Sequence, residues 1–299
     1  MELKPTSDIA RTLKRAQSME FTCDPAKDRV QQLTEIQCDS YNRSRGKLHE
    51  LDGYDCPLCL NRGDRAAARY DETFHTWNQV FIECACMEKR RQRRRLAKSG
   101  LADITERCTF ERYRTDTPWR ERIKQTAQRF VEDPQGRFFF IGGQSGAGKS
   151  HICTAMALHL IDTGHRVRYM LWRDEATRLK AVVNKAEEYT PAIEELKQAE
   201  VLYIDDLFKT GRTADGSPQR PTAADINLAF ELINHRSMAP GRITILSSEC
   251  TSDDLLNIDE AIAGRIIENS RPQGYCLNIG PDQSKNFRLT GSANQWEGR

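Results

Sequence analysis

The strongest chemical signature in the chain is the segment "GQSGAGKS", which follows the apolar run "RFFFIG" and precedes a helical pattern. It satisfies the spacing G-x-x-x-x-G-K-[ST] in the context that this pattern requires, with a strand before it and a helix after it. Its glycines let backbone N–H groups turn toward a phosphate, Lys149 can neutralise β- and γ-oxygens, and the Ser150 hydroxyl can ligate Mg²⁺. The segment therefore predicts a nucleoside triphosphate site. Its members are Gly143, Gln144, Ser145, Gly146, Ala147, Gly148, Lys149 and Ser150.

A second motif, "VLYIDDL", is an apolar run that ends in two acids. The first, Asp205, is placed to hold magnesium through water. Asp206 can orient or deprotonate an attacking water, so the pair favours hydrolysis over binding alone. An acidic strand-to-loop turn without chemistry is the alternative, and the presence of the phosphate loop makes it the weaker one.

Two later segments offer groups that could act on the γ-phosphate. The strand pattern "RITILSSE" ends in Ser247, Ser248 and Glu249, from which a hydrogen-bonding group could reach the γ-phosphate or the water between the two motifs. The helical pattern "DEAIAGRIIENS" carries Arg265, which is suited to reach the γ-phosphate of a neighbouring subunit. An ordinary surface arginine is the alternative for that position.

Four of the ten cysteines form two closely spaced pairs. Cys56 and Cys59 form a C-x-x-C turn, and Cys84 and Cys86 form C-x-C after a hairpin-like insert. Two such pairs can close a tetrahedral thiolate site for Zn²⁺, which would hold together a segment too small and polar to fold on a core alone. Four unconnected thiols are the alternative. Two residues could replace one of the ligands, namely His75 and Cys38.

A run of seven basic residues extends from Lys89 to Lys98 in "EKRRQRRRLAK". Clustered Lys and Arg release counterions from a phosphate backbone, so the run is compatible with nucleic-acid binding. A solvated charged face or a docking surface for an acidic protein is the alternative. No regular series of aromatic residues accompanies the run, which argues against a module that reads bases.

Length and composition limit the remaining possibilities. The chain has 299 residues, of which 29% are charged and 38% hydrophobic, and its formal net charge is +2. This composition is typical of a polar, soluble protein, and the length predicts two domains. The sequence has no apolar run near the roughly 18 residues of a membrane helix, and its start lacks the hydrophobic core of a signal peptide. We therefore expect a cytoplasmic protein without a membrane partner.

The order of apolar runs predicts the architecture. From about residue 101, short continuous apolar strands alternate with helical stretches of ten or more residues. This alternation is typical of a parallel sheet covered by helices on both faces. We predict an α/β fold of three layers over residues 101–299, preceded over residues 1–100 by a small helical domain that carries the cysteine pairs.

Together, these motifs resemble the AAA+ ATPases, and more narrowly the bacterial helicase loaders of the DnaC and DnaI type, including loader-like replication proteins of phages and mobile elements. The resemblance implies an AAA+ domain that hydrolyses ATP with Mg²⁺ at a subunit interface, in a homo-oligomer assembled on ATP or DNA. It also implies an N-terminal domain that grips a hexameric replicative helicase, and an ATPase domain that contacts single-stranded DNA. Hydrolysis would then control release of the helicase. The motifs that carry the resemblance are "YDCPLCLNRG", "ECACMEKRR", "CTFERYRTDTPW", "GGQSGAGKS", "YIDDLFK", "LINHR", "TILSSE", "DEAIAGRI" and "KNFRL".

The resemblance also implies residue roles. Lys149 and Ser150 would bind phosphate and magnesium, Asp205 magnesium, and Asp206 would take the place of the catalytic acid. Arg265 matches the arginine finger that acts on the adjacent subunit, and Arg236 matches a basic position that many members keep before the polar-ended strand. The sequence departs from the common pattern at that strand, where an asparagine is often the sensing residue. Either Glu249 or Ser248 would take that role here.

Three rival functions fit parts of the sequence. A transposition ATPase of the related IstB-like group shares the core but acts on target DNA and a transposase. A small-molecule kinase would need an acceptor pocket and normally an arginine-bearing lid, whereas Asp206 and "SSE" suit water activation. A zinc-stapled adaptor with a structural ATP site would not turn ATP over.

Overall fold

The computed structural model describes residues 27–96, 107–134, 137–211 and 219–287. The chain divides into two compact units, Met1–Cys84 and Ala85–Arg299. The division thus falls before residue 100, and the sequence-predicted boundary itself lies outside the described residues. Helix α3 (Cys86–Leu96), which carries the basic run from Lys89 to Arg95, belongs to the second unit, and Lys98 lies outside the described residues.

The first unit pairs a helix with a β-hairpin. Helix α1 (Arg29–Arg43) begins after Asp28, whose side chain accepts from Val30 N–H, and a short helix α2 (His49–Asp52) follows. Strands β1 (Asp64–Asp71) and β2 (Thr76–Glu83) pair in antiparallel register, so the hairpin-like insert between the cysteine pairs is confirmed. Helix α1 packs on this hairpin, because Asn42 exchanges two hydrogen bonds with the backbone of Ala66.

The second unit alternates strands and helices. Its strands are β3 (Phe138–Gly143), β4 (Val167–Leu171), β5 (Val201–Leu207), β6 (Ile243–Ser248) and β7 (Cys276–Ile279). After α3, its α-helices are α4 (Pro118–Glu132), α5 (Lys149–Asp162), α6 (Trp172–Val182), α7 (Ala186–Gln198), α8 (Ala223–Met238), α9 (Ser252–Ile258) and α10 (Glu260–Ser270). None of the helices in the described ranges is long and apolar enough to cross a bilayer.

The strands form one parallel sheet in the order β4-β5-β6-β3-β7. Because alternate side chains point to opposite faces, Phe139 and Ile141 pack with helices α4 and α5, while Phe138 and Phe140 pack with helices α6 to α10. Both faces are therefore covered. The predicted three-layer α/β fold with a parallel sheet is confirmed.

The strand order decides what meets at one edge of the sheet. Strand β6 pairs on one side with β3, which leads into the phosphate loop, and on the other with β5, which ends in the two acids. Parallel strands end at the same edge, so the polar ends of β3, β5 and β6 converge there. This is the crevice in which open α/β sheets bind ligands.

Candidate functional site

The phosphate loop closes between strand β3 and helix α5. Gly148 precedes the first turn of α5 with a φ of 87°, and Gly143 has a φ of 107°. A side chain at Gly143 would collide with the carbonyl oxygen of Ile279 on the neighbouring strand, so this position requires glycine on both counts. The same carbonyl accepts a hydrogen bond from Gln144 N–H at 3.0 Å, which anchors the loop to β7.

Lys149 lies at the centre of the loop. Its side chain is buried, and Nζ donates to the carbonyl oxygens of Gly143 at 2.9 Å and Gln144 at 2.8 Å. Burial lowers the pKa of Lys149, and the negative charges of Glu249 and Asp206 act against this shift. The loop therefore encloses a cation beside the N-terminus of a helix, an arrangement suited to a polyphosphate.

The first residues of α5 and the end of β5 are joined by a direct hydrogen bond. The Ser150 hydroxyl donates to Asp205 Oδ1 at 2.9 Å. Asp205 is only 4% exposed and also accepts from Ser247 Oγ and, at 3.3 Å, from the Tyr169 hydroxyl. A hydroxyl and a carboxylate that meet beside a phosphate loop are oxygen donors of the kind that Mg²⁺ prefers, so these two residues fit the metal.

Asp206 and Glu249 complete the polar edge with a lysine between them. Asp206 has a φ of 57°, and its N–H donates to Ser247 Oγ at 3.0 Å. Lys209 Nζ contacts Asp206 Oδ2 at 2.7 Å and Glu249 Oε1 at 3.2 Å. Glu249 also hydrogen-bonds Ser145 of the phosphate loop, and the charges of Lys209 and Lys149, acting against burial, lower the pKa of Glu249.

The two serines that end β6 have different surroundings. Ser248 is fully buried, donates to the carbonyl of Leu207 at 2.7 Å and accepts from Cys250 N–H at 3.0 Å. This geometry runs against the expectation that Ser248 contacts the γ-phosphate, because its hydroxyl is used in the backbone turn after the strand. The hydroxyl that faces the acids belongs to Ser247, one residue earlier on the opposite face of the sheet.

Arg265 and Arg236, both singled out in the sequence, lie in contrasting environments. Arg265 is half-buried on helix α10, where Nε donates to Asn234 Oδ1 at 2.7 Å and the guanidinium lies 4.9 Å from the centre of the Phe230 ring. Arg236 is only 1% exposed, and its guanidinium is surrounded by backbone carbonyls. Burial lowers the pKa of Arg236 to about 9, and the nearby Arg242 adds to this shift. Arg236 therefore has a packing role that its sequence context did not reveal.

The four paired cysteines come together in one cluster. Their Sγ atoms all lie within 4.8 Å of one another, and all four side chains are buried. Cys56 and Cys84 Sγ are 3.9 Å apart, which fits an edge of a tetrahedron around Zn²⁺ with Zn–S bonds of about 2.3 Å and is too long for a disulfide. Gly63 N–H donates to Cys59 Sγ at 3.4 Å, a contact that favours the thiolate. The donor set therefore fits zinc, and it includes neither Cys38 nor His75.

The basic run on helix α3 is partly used inside the second unit. Arg90 is fully buried. Arg93 donates two hydrogen bonds, of 2.9 and 2.5 Å, to the carboxylate of Asp162. Lys89 Nζ donates to the backbone carbonyl of Asp162. The exposed arginines of the helix are Arg91 and Arg95. Much of the charge therefore fastens α3 to the end of α5, and only part of it faces solvent.

Sequence reasoning missed two residues of this edge. Tyr169 contacts Asp205 from strand β4, and Lys209 contacts Asp206 from just past the end of β5. No local pattern marks Tyr169, because the strand pairing brings it to the acid. Lys209 could have been suspected from its spacing of three residues after Asp206.

The chain is similar in sequence to a known protein family and in fold to solved structures. The family model described as IstB-like ATP binding protein matches residues 65–250. The phage-like element PBSX protein XkdC of Bacillus subtilis (strain 168) is 29% identical over 226 residues, which cover 72% of this chain and 79% of XkdC. The replicative helicase loader DnaC of Escherichia coli (strain K12) is 24% identical over 152 residues, or 48% of this chain and 62% of DnaC. A crystal structure of DnaI has 19% sequence identity and a TM-score of 0.47, and the match covers 60% of this chain and 93% of the chain in that crystal structure.

Proposed function

This chain belongs to the IstB-like ATP-binding protein family, and from that premise we propose that it is a magnesium-dependent ATPase. The observation that carries this proposal is the 2.9 Å hydrogen bond between Ser150 Oγ and Asp205 Oδ1. This bond supports the proposal because it joins the hydroxyl that we assign to the metal with a buried carboxylate. Binding of ATP alone would not require the second acid that follows Asp205.

Each residue of the edge has a role in this reaction. Lys149 neutralises the β- and γ-phosphate oxygens, and Ser150 and Asp205 hold Mg²⁺, which supplies charge neutralisation and orientation of the phosphates. Asp206 orients a water and accepts its proton while the water oxygen bonds to the γ-phosphorus and the bond to the β-phosphate oxygen breaks. Arg265 stabilises the charge that develops on the γ-phosphate of an adjacent subunit, which makes the active enzyme a homo-oligomer.

We further propose that this ATPase loads a replicative helicase and contacts single-stranded DNA. Two relatives support this assignment: DnaC is named a replicative helicase loader, and XkdC belongs to a phage-like element. Helix α1 also presents an exposed apolar stripe, with Val30, Leu33 and Ile36 being 43%, 51% and 37% exposed. Residues at this spacing lie on one face of a helix, which is suited to dock on a protein partner.

Zinc at the cysteine cluster would stabilise the first unit, which supplies three of the four ligands, Cys56, Cys59 and Cys84. The unit is small and its apolar face is exposed, so a metal that joins four thiolates would stabilise it where a core does not. We assign the ligands as Cys56, Cys59, Cys84 and Cys86.

Light scattering of the protein mixed with its host's replicative helicase tests the loader assignment. We expect a complex of defined mass with ATP that changes with ADP and is lost in Lys149→Ala, while the exposed control Lys185→Ala behaves as wild type. Leu33→Asp should lose the complex and keep ATPase activity. Absence of a complex under every condition, together with binding to a transposase on DNA, would instead support the transposition ATPase of the same family.

A further inference from the structure

Lys209 has a defined position at the γ-phosphate end of the site. Its N–H donates to the carbonyl of Asp206 at 2.9 Å, which closes a turn after strand β5. Phe208, the residue before Lys209 in this turn, is 4% exposed and holds the turn in place. Its ring packs edge-on against the ring of Trp172, with 5.4 Å between the ring centroids. The Lys209 side chain is 35% exposed and reaches over the turn to two carboxylates.

The negative charge at this edge of the sheet would repel the triphosphate of ATP. Asp205, Asp206 and Glu249 supply three carboxylates, and a triphosphate adds further negative charge. Glu249 follows strand β6, which lies between the strand of the phosphate loop and the strand of the two acids, and Ser145 of the loop helps to lower its pKa. An uncompensated glutamate there would repel ATP more strongly than ADP, because only ATP carries the third phosphate.

Lys209 supplies the compensating charge. Its ammonium group lies 3.2 Å from Glu249 Oε1 and 2.7 Å from Asp206 Oδ2. Although burial by itself lowers the pKa of Lys209, the two carboxylates outweigh it and raise that pKa, so the ammonium stays charged at neutral pH. The other lysine of the site, Lys149, hydrogen-bonds the loop carbonyls in the structure, and its proposed partners are the phosphate oxygens of the bound nucleotide.

We propose that Lys209 is a positioning residue that makes the site able to accept a γ-phosphate, by neutralising Glu249 and by holding the Asp206 carboxylate in place. This inference rests on the proposed ATPase function and concerns the same site.

Binding of ADP and of an ATP analogue with a non-hydrolysable β,γ bond, measured by calorimetry with Mg²⁺, tests the proposal. In Lys209→Met we expect the Kd of the ATP analogue to rise about tenfold or more while the Kd of ADP changes little, because one unit charge near the third phosphate is lost. The double variant Lys209→Met, Glu249→Gln should recover most of this loss, since the repelling carboxylate is gone. Lys209→Arg, which keeps the charge, should stay near wild type, and Lys185→Met serves as the exposed control.

A merely structural role for Lys209 predicts different results. Lys209→Met would then lower the Tm and weaken both nucleotides equally, and Glu249→Gln would not rescue it; that result overturns the proposal. If wild-type protein binds and hydrolyses ATP but the ratio of the two Kd values is the same in Lys209→Met, the proposal fails while the ATPase function stands. Wild-type protein that binds neither nucleotide overturns both.

Discussion

Arg236 provides a quantitative test of how this fold is held together. Its guanidinium donates to Thr244 Oγ1 and to the carbonyls of Leu196, Lys197, Ala199 and Ile243. Arg236→Met would keep much of the side-chain volume and remove every donor. The bonds to Thr244 Oγ1 and to the Leu196 carbonyl are fully buried, so both acceptors would lose this donor where water cannot replace it.

The loss can be estimated from these two acceptors. A buried acceptor left unsatisfied costs about 1–3 kcal/mol, which gives about 2–6 kcal/mol for two. The part-buried carbonyls can bond to water, and relief from burying the guanidinium offsets some of the cost. We therefore expect a net loss of about 3 kcal/mol in the free energy of unfolding, which corresponds to a fall in Tm of about 6–12 °C for a unit of this size.

Thermal unfolding of nucleotide-free protein, with Arg166→Met as control, checks this estimate. The Arg166 side chain is 76% exposed and makes one 3.5 Å ion pair, so its loss should change the Tm by less than about 2 °C. Below the lowered Tm, Arg236→Met should still bind ATP with an affinity close to wild type. An unchanged Tm combined with lost nucleotide binding would refute the structural role and favour the basic functional position suggested by the resemblance.

Three further predictions concern the proposed sites. Arg265→Ala should keep nucleotide affinity within about twofold but lower kcat by about 10³-fold or more, as for other arginine fingers; normal turnover at saturating ATP would remove the intersubunit role. Asp206→Asn should lower kcat by about 10²–10⁴-fold and leave ATP bound, as measured by single-turnover kinetics, and a residual rate within a few-fold of wild type would exclude it as the base. Zinc analysis of the purified wild-type protein should find about one ion per chain. In Cys59→Ser the zinc content should fall toward zero and the first unit should lose its structure, whereas the control Cys38→Ser should keep both. Metal-free wild-type protein with a folded first unit would contradict the zinc assignment.

The phosphate loop shows how far a local pattern can determine structure. The segment from Gly143 to Ser150 is contiguous, and its function depends on glycine conformations and a helix start that lie within it. The three-layer fold was likewise predictable, because apolar runs and amphipathic helices follow from which faces must be buried. The pairing of Cys56 and Cys59 with Cys84 and Cys86 was predictable for a similar reason, since thiol spacing within each pair is local.

Which polar groups surround Asp205 could not be predicted from the sequence. Ser247 and Ser248 are adjacent in sequence, and only the pairing of β6 between β3 and β5 decides which hydroxyl meets the acid. Tyr169 lies on strand β4, whose sequence "VRYML" does not indicate that it pairs beside Asp205. The buried state of Arg236 was also hidden, since an arginine near a helix end usually lies on the surface.

The sequence by itself determined the phosphate loop, the acid pair, the cysteine pairs and the α/β class, because each depends on residue types at short spacing. Only the tertiary structure decided that Lys209 joins Asp206 to Glu249, that Ser248 is used in a turn, and that Arg236 holds helix α7 and strand β6 together. These contacts join residues distant in sequence or depend on the path of a turn. Their energies arise from burial and strand order, which no single segment encodes.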